Sequence, residues 1–260
     1  MLKIRTTEIQ KGNSGMKKIL LMLIPMIFIL FACGAPATSI AVPTNIPAPL
    51  PTETSIPPTI NSGSLLFQDE FEGSLDSGWE WLRENNNEWS LTNNADWLEI
   101  MAGFGSINGG NVNNLLLRPI PEGNFELETR LKFKPVENQQ IAGLLIYENA
   151  ANHIQFGHGL CDAPQCAGEG LYLDLMTGGS FDSENFATKA TGTEIIYLRL
   201  RLEGNIFTAY ASENGQDWNL IGAHNNEIKP LFVGLVAGGA FNRTVQTPAQ
   251  FDYFVINTLP

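Results

Sequence analysis

Apolar and polar positions alternate through most of residues 65–260. In "FELETRLKF" (125–133), Phe125, Leu127, Thr129, Leu131 and Phe133 alternate with Glu126, Glu128, Arg130 and Lys132. Residues two apart on a strand share a face, so this spacing predicts a strand with one face in a core and one in water. "YLRLRLEG" (197–204) repeats the pattern, with Leu198, Leu200 and Leu202 opposite Arg199 and Arg201. "GLYLDLMT" (170–177) sets Leu171, Leu173 and Leu175 against Tyr172, Asp174 and Met176. "IAGLLIYE" (141–148) is nearly all apolar and reads as a central strand. "NIFTAYAS" and "QDWNLIG" predict a hairpin about Glu213–Gly215, because Asn-Gly is a strong reversal signal. "LFVGLVAGG" (231–239) and "AQFDYFVIN" (249–257) close the chain as strands, and others are expected at 65–69, 79–83, 88–91, 96–101 and 113–118. No stretch sustains a helical period, and the Asn runs at 85–87 and 111–114 read as turns. Short strands with Asn- and Gly-rich turns predict an all-β sandwich or barrel.

The pattern changes before residue 65. Lys17 and Lys18 precede Ile19–Phe31, a run without charge. It is shorter than the about 20 residues a bilayer span needs, and a basic start with a short apolar stretch is the signature of an export signal. Met16 opens that signal (16–32), which makes 1–15 a dispensable extension or a misassigned start. Leu30-Phe31-Ala32-Cys33 resembles the lipobox of bacterial lipoproteins, with Phe31 bulkier than usual at its position. The resemblance implies a lipidated Cys33 as the first mature residue, a lipid anchor in the bacterial cell envelope, and a domain facing outside the cytoplasm. Each buried acyl CH₂ would contribute about 0.8 kcal/mol to that anchor. Residues 33–64 hold seven prolines among Ala, Thr and Ser and a single charge, Glu53, and are expected to be an extended linker.

Charge narrows the partners. The chain carries a formal charge of −12, and residues 1–32 hold five basic residues and one acidic, so the mature chain lies near −16. That excludes a nucleic-acid surface, which is normally basic, and leaves membrane attachment to the lipid. Roughly 195 residues follow the linker, enough for one core. Cys161 and Cys166 in "CDAPQC" are expected to form a disulfide in an oxidising compartment. Zinc, with His158 and His153 nearby, is the weaker alternative.

In order and spacing, the strands resemble a known family. The marks are "FQDEF" (67–71), "LDSGWEW" (75–81), "WSLT" (89–92), "LEI" (98–100), "LLLRP" (115–119), "FELETRLKFKP" (125–135), "QQIAGLLIYE" (139–148), "YLRLRLEG" (197–204), "YASENGQDW" (210–218), "FVGL" (232–235) and "FDYF" (251–254). Together they resemble the concanavalin A-like domain at the C-terminal end of family 43 β-xylosidases. The resemblance implies a jelly-roll sandwich of two antiparallel sheets. In those xylosidases the catalytic carboxylates belong to a separate propeller, for which this chain leaves no room. It further implies that the first and last strands are neighbours, where similar modules hold a structural Ca²⁺; Asp69 and Asp252 are the candidate ligands, calcium wanting six to eight oxygens.

The candidate chemistry is sugar recognition, which needs flat rings for pyranose faces and planar polar groups for hydroxyls. Trp97, beside Asp96 and an Asn-rich loop, is the expected exposed ring, whereas Trp89 and Trp218 match structural positions of the family. Arg118 follows three leucines, and Arg199, Arg201, Gln140, Tyr147, Tyr172 and Asp174 fall on predicted strands. The latter six are expected to line one groove on an outward sheet face, with Trp97 and Arg118 as further ligand-binding candidates. Glu126 and Glu128 share a face, as a glycosidase pair would, but Arg130 and Lys132 continue it as a solvated face of mixed charge. The reading is therefore a membrane-tethered, non-catalytic module that binds a polysaccharide or oligosaccharide, xylan or arabinan by analogy. The alternatives are a structural or protein-docking envelope module, which would dock an enzyme or another envelope protein, and a glycoside hydrolase.

Overall fold

The computed structural model describes residues 63–189 and 192–260. The expected extension, export signal, lipidated Cys33 and linker lie outside the described residues, save Gly63 and Ser64. Ser64 already belongs to the domain, its carbonyl accepting the Thr258 N–H at 2.9 Å.

In chain order the strands are β1 (Leu65–Asp69), β2 (Glu80–Leu82), β3 (Trp89–Ser90), β4 (Leu98–Ala102), β5 (Leu115–Pro119), β6 (Phe125–Lys132), β7 (Ile141–Asn149) and β8 (Asn152–Cys161). There follow β9 (Gly168–Thr177), β10 (Ser180–Phe181), β11 (Phe186–Lys189), β12 (Ile195–Glu203), β13 (Ile206–Ser212), β14 (Asn219–Asn225), β15 (Phe232–Gly238) and β16 (Thr247–Thr258). They form two eight-stranded sheets whose pairings are antiparallel. The first runs β14-β13-β12-β6-β16-β4-β3, with β1 also on β16; the second runs β10-β9-β8-β7-β15-β5-β2, with β11 also on β9. This is the sandwich that the alternation and the family resemblance imply.

The alternating leucines explain the layering. Leu127, Leu131, Leu198, Leu200 and Phe251 of the first sheet and Leu144, Ile146, Phe156, Leu173 and Leu235 of the second belong to one fully buried core. Removing each such side chain from water contributes about 1.5–3 kcal/mol. β16 crosses its sheet with a bulge between Phe251 and Phe254, and Asp252 and Tyr253 fill the gap. Thr129, on the buried side of β6, spends its hydroxyl there, donating to the Tyr253 carbonyl at 2.6 Å.

The second sheet also buries part of its outer face. Leu115, Leu117, Leu145, Tyr147 and Val236 pack there against Ile107 and Val112 of the β4–β5 connection. Beyond that cover the floor is glycine: Gly143 and Gly157 face one another across β7 and β8. A Cβ on Gly143 would stand 2.1 Å from the Phe156 carbonyl oxygen, and one on Gly157 2.1 Å from that of Ala142, so neither strand can carry a side chain at this pair.

β8, β10 and β11 are absent from the pattern-based expectation. In β8 only Ile154 and Phe156 belong to the core, and His153, Gln155, Gly157, His158 and Gly159 around them break the apolar pattern. The Glu213–Gly215 hairpin is present, with a longer loop than a two-residue turn. Asn214 Oδ1 caps it by accepting the N–H groups of Gln216 and Asp217, each at 2.9 Å.

Candidate functional site

The outer face of the first sheet is a closed ladder of charges and rings. Register sets Arg199 opposite Glu128 and Arg201 opposite Glu126. Arg199 reaches Glu128 at 2.6 Å and Glu126 at 3.2 Å, and Arg201 also pairs with Glu126. The Arg199 guanidinium lies 3.7 Å over the Trp218 ring. Arg130 pairs with Asp252 at 2.9 Å and lies 5.3 Å over Trp97. The Tyr253 hydroxyl donates to Glu128 at 2.7 Å. Burial and that carboxylate push the Tyr253 phenol far above its ordinary range. Here each guanidinium already has a carboxylate and a ring, leaving Arg130 Nε as the one ladder nitrogen among the described residues that is buried without a hydrogen-bond partner. Glu126 and Glu128 are held by arginines and do not face each other across a cleft.

The outer face of the second sheet is different. Two adjoining hollows, of about 490 and 220 Å³, share Gln139, Ile141, Gln155 and Phe181. The larger is of the size typical of small-molecule sites, about 300–1,000 Å³. Tyr172 and Asp174 of β9 and Gln155 of β8 line it because they occupy the outward positions of strands whose other face is core. Asp174 Oδ2 accepts a hydrogen bond from Gln155 Nε2 at 3.0 Å. Burial pushes the Asp174 carboxyl above the usual carboxylate range and the Tyr172 phenol upward as well. His153 borders the smaller hollow, and burial lowers its pKa to about 4.

The walls of the groove are fastened. Cys161 and Cys166 are joined by a disulfide with Cα atoms 5.6 Å apart, and their loop forms one wall. Gln139 adopts a left-handed backbone (φ 71°), uncommon outside glycine, and its N–H donates to the Leu160 carbonyl at 2.7 Å. Asn185 anchors the loop between β10 and β11 by accepting the Leu175 N–H at 2.8 Å. Two rings stand at the rim with little cover, Phe181 at 57% and Phe241 at 67% exposure, where an apolar ring gains by being covered.

The candidate ligand-binding residues are therefore divided. Tyr172 and Asp174 lie in the groove. Tyr147 is on the same sheet face, buried under the β4–β5 connection. Gln140 borders the larger hollow, yet its side chain is 1% exposed and fully engaged. Its Oε1 accepts from the Val136 and Glu137 N–H groups, and its Nε2 donates to the Ala102 carbonyl and Thr247 Oγ1. Trp97, Arg199 and Arg201 belong to the ladder on the opposite sheet. Arg118 lies between the layers with its guanidinium 3.1 Å from the Phe67 ring centroid.

Asp69 and Asp252, the candidate calcium ligands, are each engaged by protein groups. They sit on paired strands, but Asp69 is buried and accepts the N–H groups of Phe71, Asp76 and the Trp79 indole. Asp252 is engaged by Arg130 on the outer face. No group of three or more potential metal ligands occurs among the described residues. The zinc alternative fails: Cys161 and Cys166 are oxidised, and His153 and His158, five apart on β8, point to opposite faces.

Gln155, Gln139, Phe181, Asn185 and Phe241 are the groove residues that alternation did not single out. Gln155 was traceable through the Ile154–Phe156 period. The others sit on connections, whose course the period does not determine.

Comparison with known proteins places this geometry. Residues 68–257 match the family described as the β-xylosidase C-terminal concanavalin A-like domain. A β-xylosidase of Bacillus subtilis (strain 168) is 30% identical over 194 residues, covering 72% of this chain and 35% of the relative. The chain thus spans about a third of the length of that curated relative. Among solved structures, the xylan β-1,4-xylosidase of Bacillus halodurans C-125 superposes with a TM-score of 0.64 at 22% identity, over 73% of this chain and 38% of that one. The family 43 protein BlXynB of Bacillus licheniformis gives 0.64 at 18% identity, over 74% and 39%. At these identities the structural likeness speaks for the fold.

Proposed function

The chain belongs to the β-xylosidase C-terminal concanavalin A-like domain family, and from that premise we propose that residues 65–260 form a non-catalytic glycan-binding module. The ligand is a polysaccharide or oligosaccharide of the xylan or arabinan class, in keeping with the xylosidases the domain resembles. The observation that carries this reading is the groove on the second sheet. Planar polar groups (Gln155, Asp174, Asn185) converge on its floor and wall, and the exposed rings of Phe181 and Phe241 stand at its rim. A sugar offers hydroxyls to the first and an apolar ring face to the second. Lipidation at Cys33 would hold the module on the outside of a bacterial envelope, the linker keeping the groove clear of the surface.

The test is a panel of neutral and acidic polysaccharides, with binding and reducing-sugar release read on the same samples of the folded protein. Binding without release is expected. Release abolished by a single carboxylate substitution would make the chain a hydrolase. Absence of binding to every glycan would favour a protein-docking module.

A further inference from the structure

The charged groups of the groove are all acidic. Asp174 lies on the floor and Asp182 in the loop between β10 and β11, and among the described residues no lysine or arginine lines either hollow. His153 borders the smaller hollow in its neutral form at neutral pH. The arginines among the described residues are used elsewhere: Arg83 donates to the Val112 carbonyl at 2.6 Å, Arg118 lies between the layers, Arg130, Arg199 and Arg201 are in the ladder, and Arg243 stacks 3.9 Å over the Phe104 ring.

We infer that this groove accepts a neutral glycan chain over consecutive sugars and rejects chains bearing uronic acids, with Asp174 and Asp182 as the residues that discriminate. The inference rests on the glycan-binding reading of the same site. Neutral sugars bring hydroxyls, each both donor and acceptor, which suit the carboxylates and amides of the lining; the Tyr172 hydroxyl is spent on the Gly168 carbonyl. A uronate brings an acceptor-only anion. It would meet Asp182, and Asp174 whenever that group is ionised, in a recess that supplies no cation, and an unpaired charge is costly to desolvate. The second hollow, which shares Gln139 and Gln155 with the first, gives the neighbouring sugar a place.

The decisive comparison uses three probes on the purified protein by calorimetric titration. They are an unsubstituted xylo-oligosaccharide, the same oligosaccharide with a glucuronic acid branch, and the methyl ester of that acid. The acid should bind weaker than the unsubstituted chain by on the order of tenfold or more at low salt. Its methyl ester should recover most of the loss, because it has nearly the same shape without the charge. Asp182→Asn, on a surface loop, and Asp174→Asn should each narrow the gap between acid and ester. Acid binding as tight as ester binding, or a gap unchanged in a folded Asp182→Asn and Asp174→Asn double variant, would overturn the inference while leaving the glycan site intact. An ester as weak as the acid would also overturn it, placing the exclusion in shape. Failure of all three probes, together with every other neutral glycan, would overturn the glycan-binding reading itself.

Discussion

Gln140 shows how a residue suited to sugar hydroxyls can be wholly consumed by the fold. Its amide ties the turn after β6 to β4 and β16 through four partners. Gln140→Ala should lower unfolding free energy by about 2–3 kcal/mol, since buried partners left without hydrogen bonds cost more than the bond itself gains. Denaturant unfolding checks this; an unchanged midpoint would refute the assignment. His153 supplies a pH test. Its folded pKa of about 4 lies below the ordinary 6.5, so between these values the unfolded chain binds more protons. Its contribution is therefore present above pH 6.5 and is lost as pH falls towards 4, amounting to about 3 kcal/mol at the limit. His158, also lowered by burial, acts in the same direction, whereas the raised Asp174 opposes it. The measurement is the difference between wild type and His153→Gln: the acid-side slope should be shallower in the variant.

At the scale of elements, β6 and β12 were legible because the inward positions are apolar save Thr129 and the outward ones mostly charged, so a one-residue slip would expose the core. The facing of Glu126 with Arg201 and Glu128 with Arg199 then followed from pairing. What was not legible was which sheet each strand joins. Arg199 and Tyr172 have the same pattern around them, yet β12 belongs to the first sheet and β9 to the second. Alternation assigns a side chain to an outer face without saying which of two outer faces it is. β8 escaped for a different reason: only Ile154 and Phe156 of its inward positions join the core, and His153, Gln155, Gly157 and Gly159 on the outward side give little apolar contrast. The Cys161–Cys166 loop was legible from spacing, but its position on the groove wall was not. Breaking this disulfide by Cys161→Ser with Cys166→Ser should cost about 2 kcal/mol of stability on loop-entropy grounds. It should also weaken glycan affinity in a still-folded protein. Calorimetry with and without reductant on the wild type checks both, and a full-affinity reduced protein would detach the loop from the site.

At the scale of the molecule, the sandwich keeps its two outer faces for different ends. One is closed by ion pairs and cation–π stacking; the other leaves a recess with polar groups and uncovered rings. Attachment is a separate expectation written at the start of the chain: Cys33→Ala should release the protein from the membrane fraction of an expressing bacterium, and its retention there would argue against the lipid anchor. The central claim, that the second sheet's face and not the first binds sugar, is tested most directly by titrating a xylo-oligosaccharide into Phe181→Ala and Arg199→Ala side by side. Phe181→Ala should weaken binding about tenfold, in the range of a lost ring contact, while Arg199→Ala should leave affinity unchanged and lower only stability. Unaltered binding in Phe181→Ala with binding lost in a folded Arg199→Ala would place the site on the charged ladder and contradict the account.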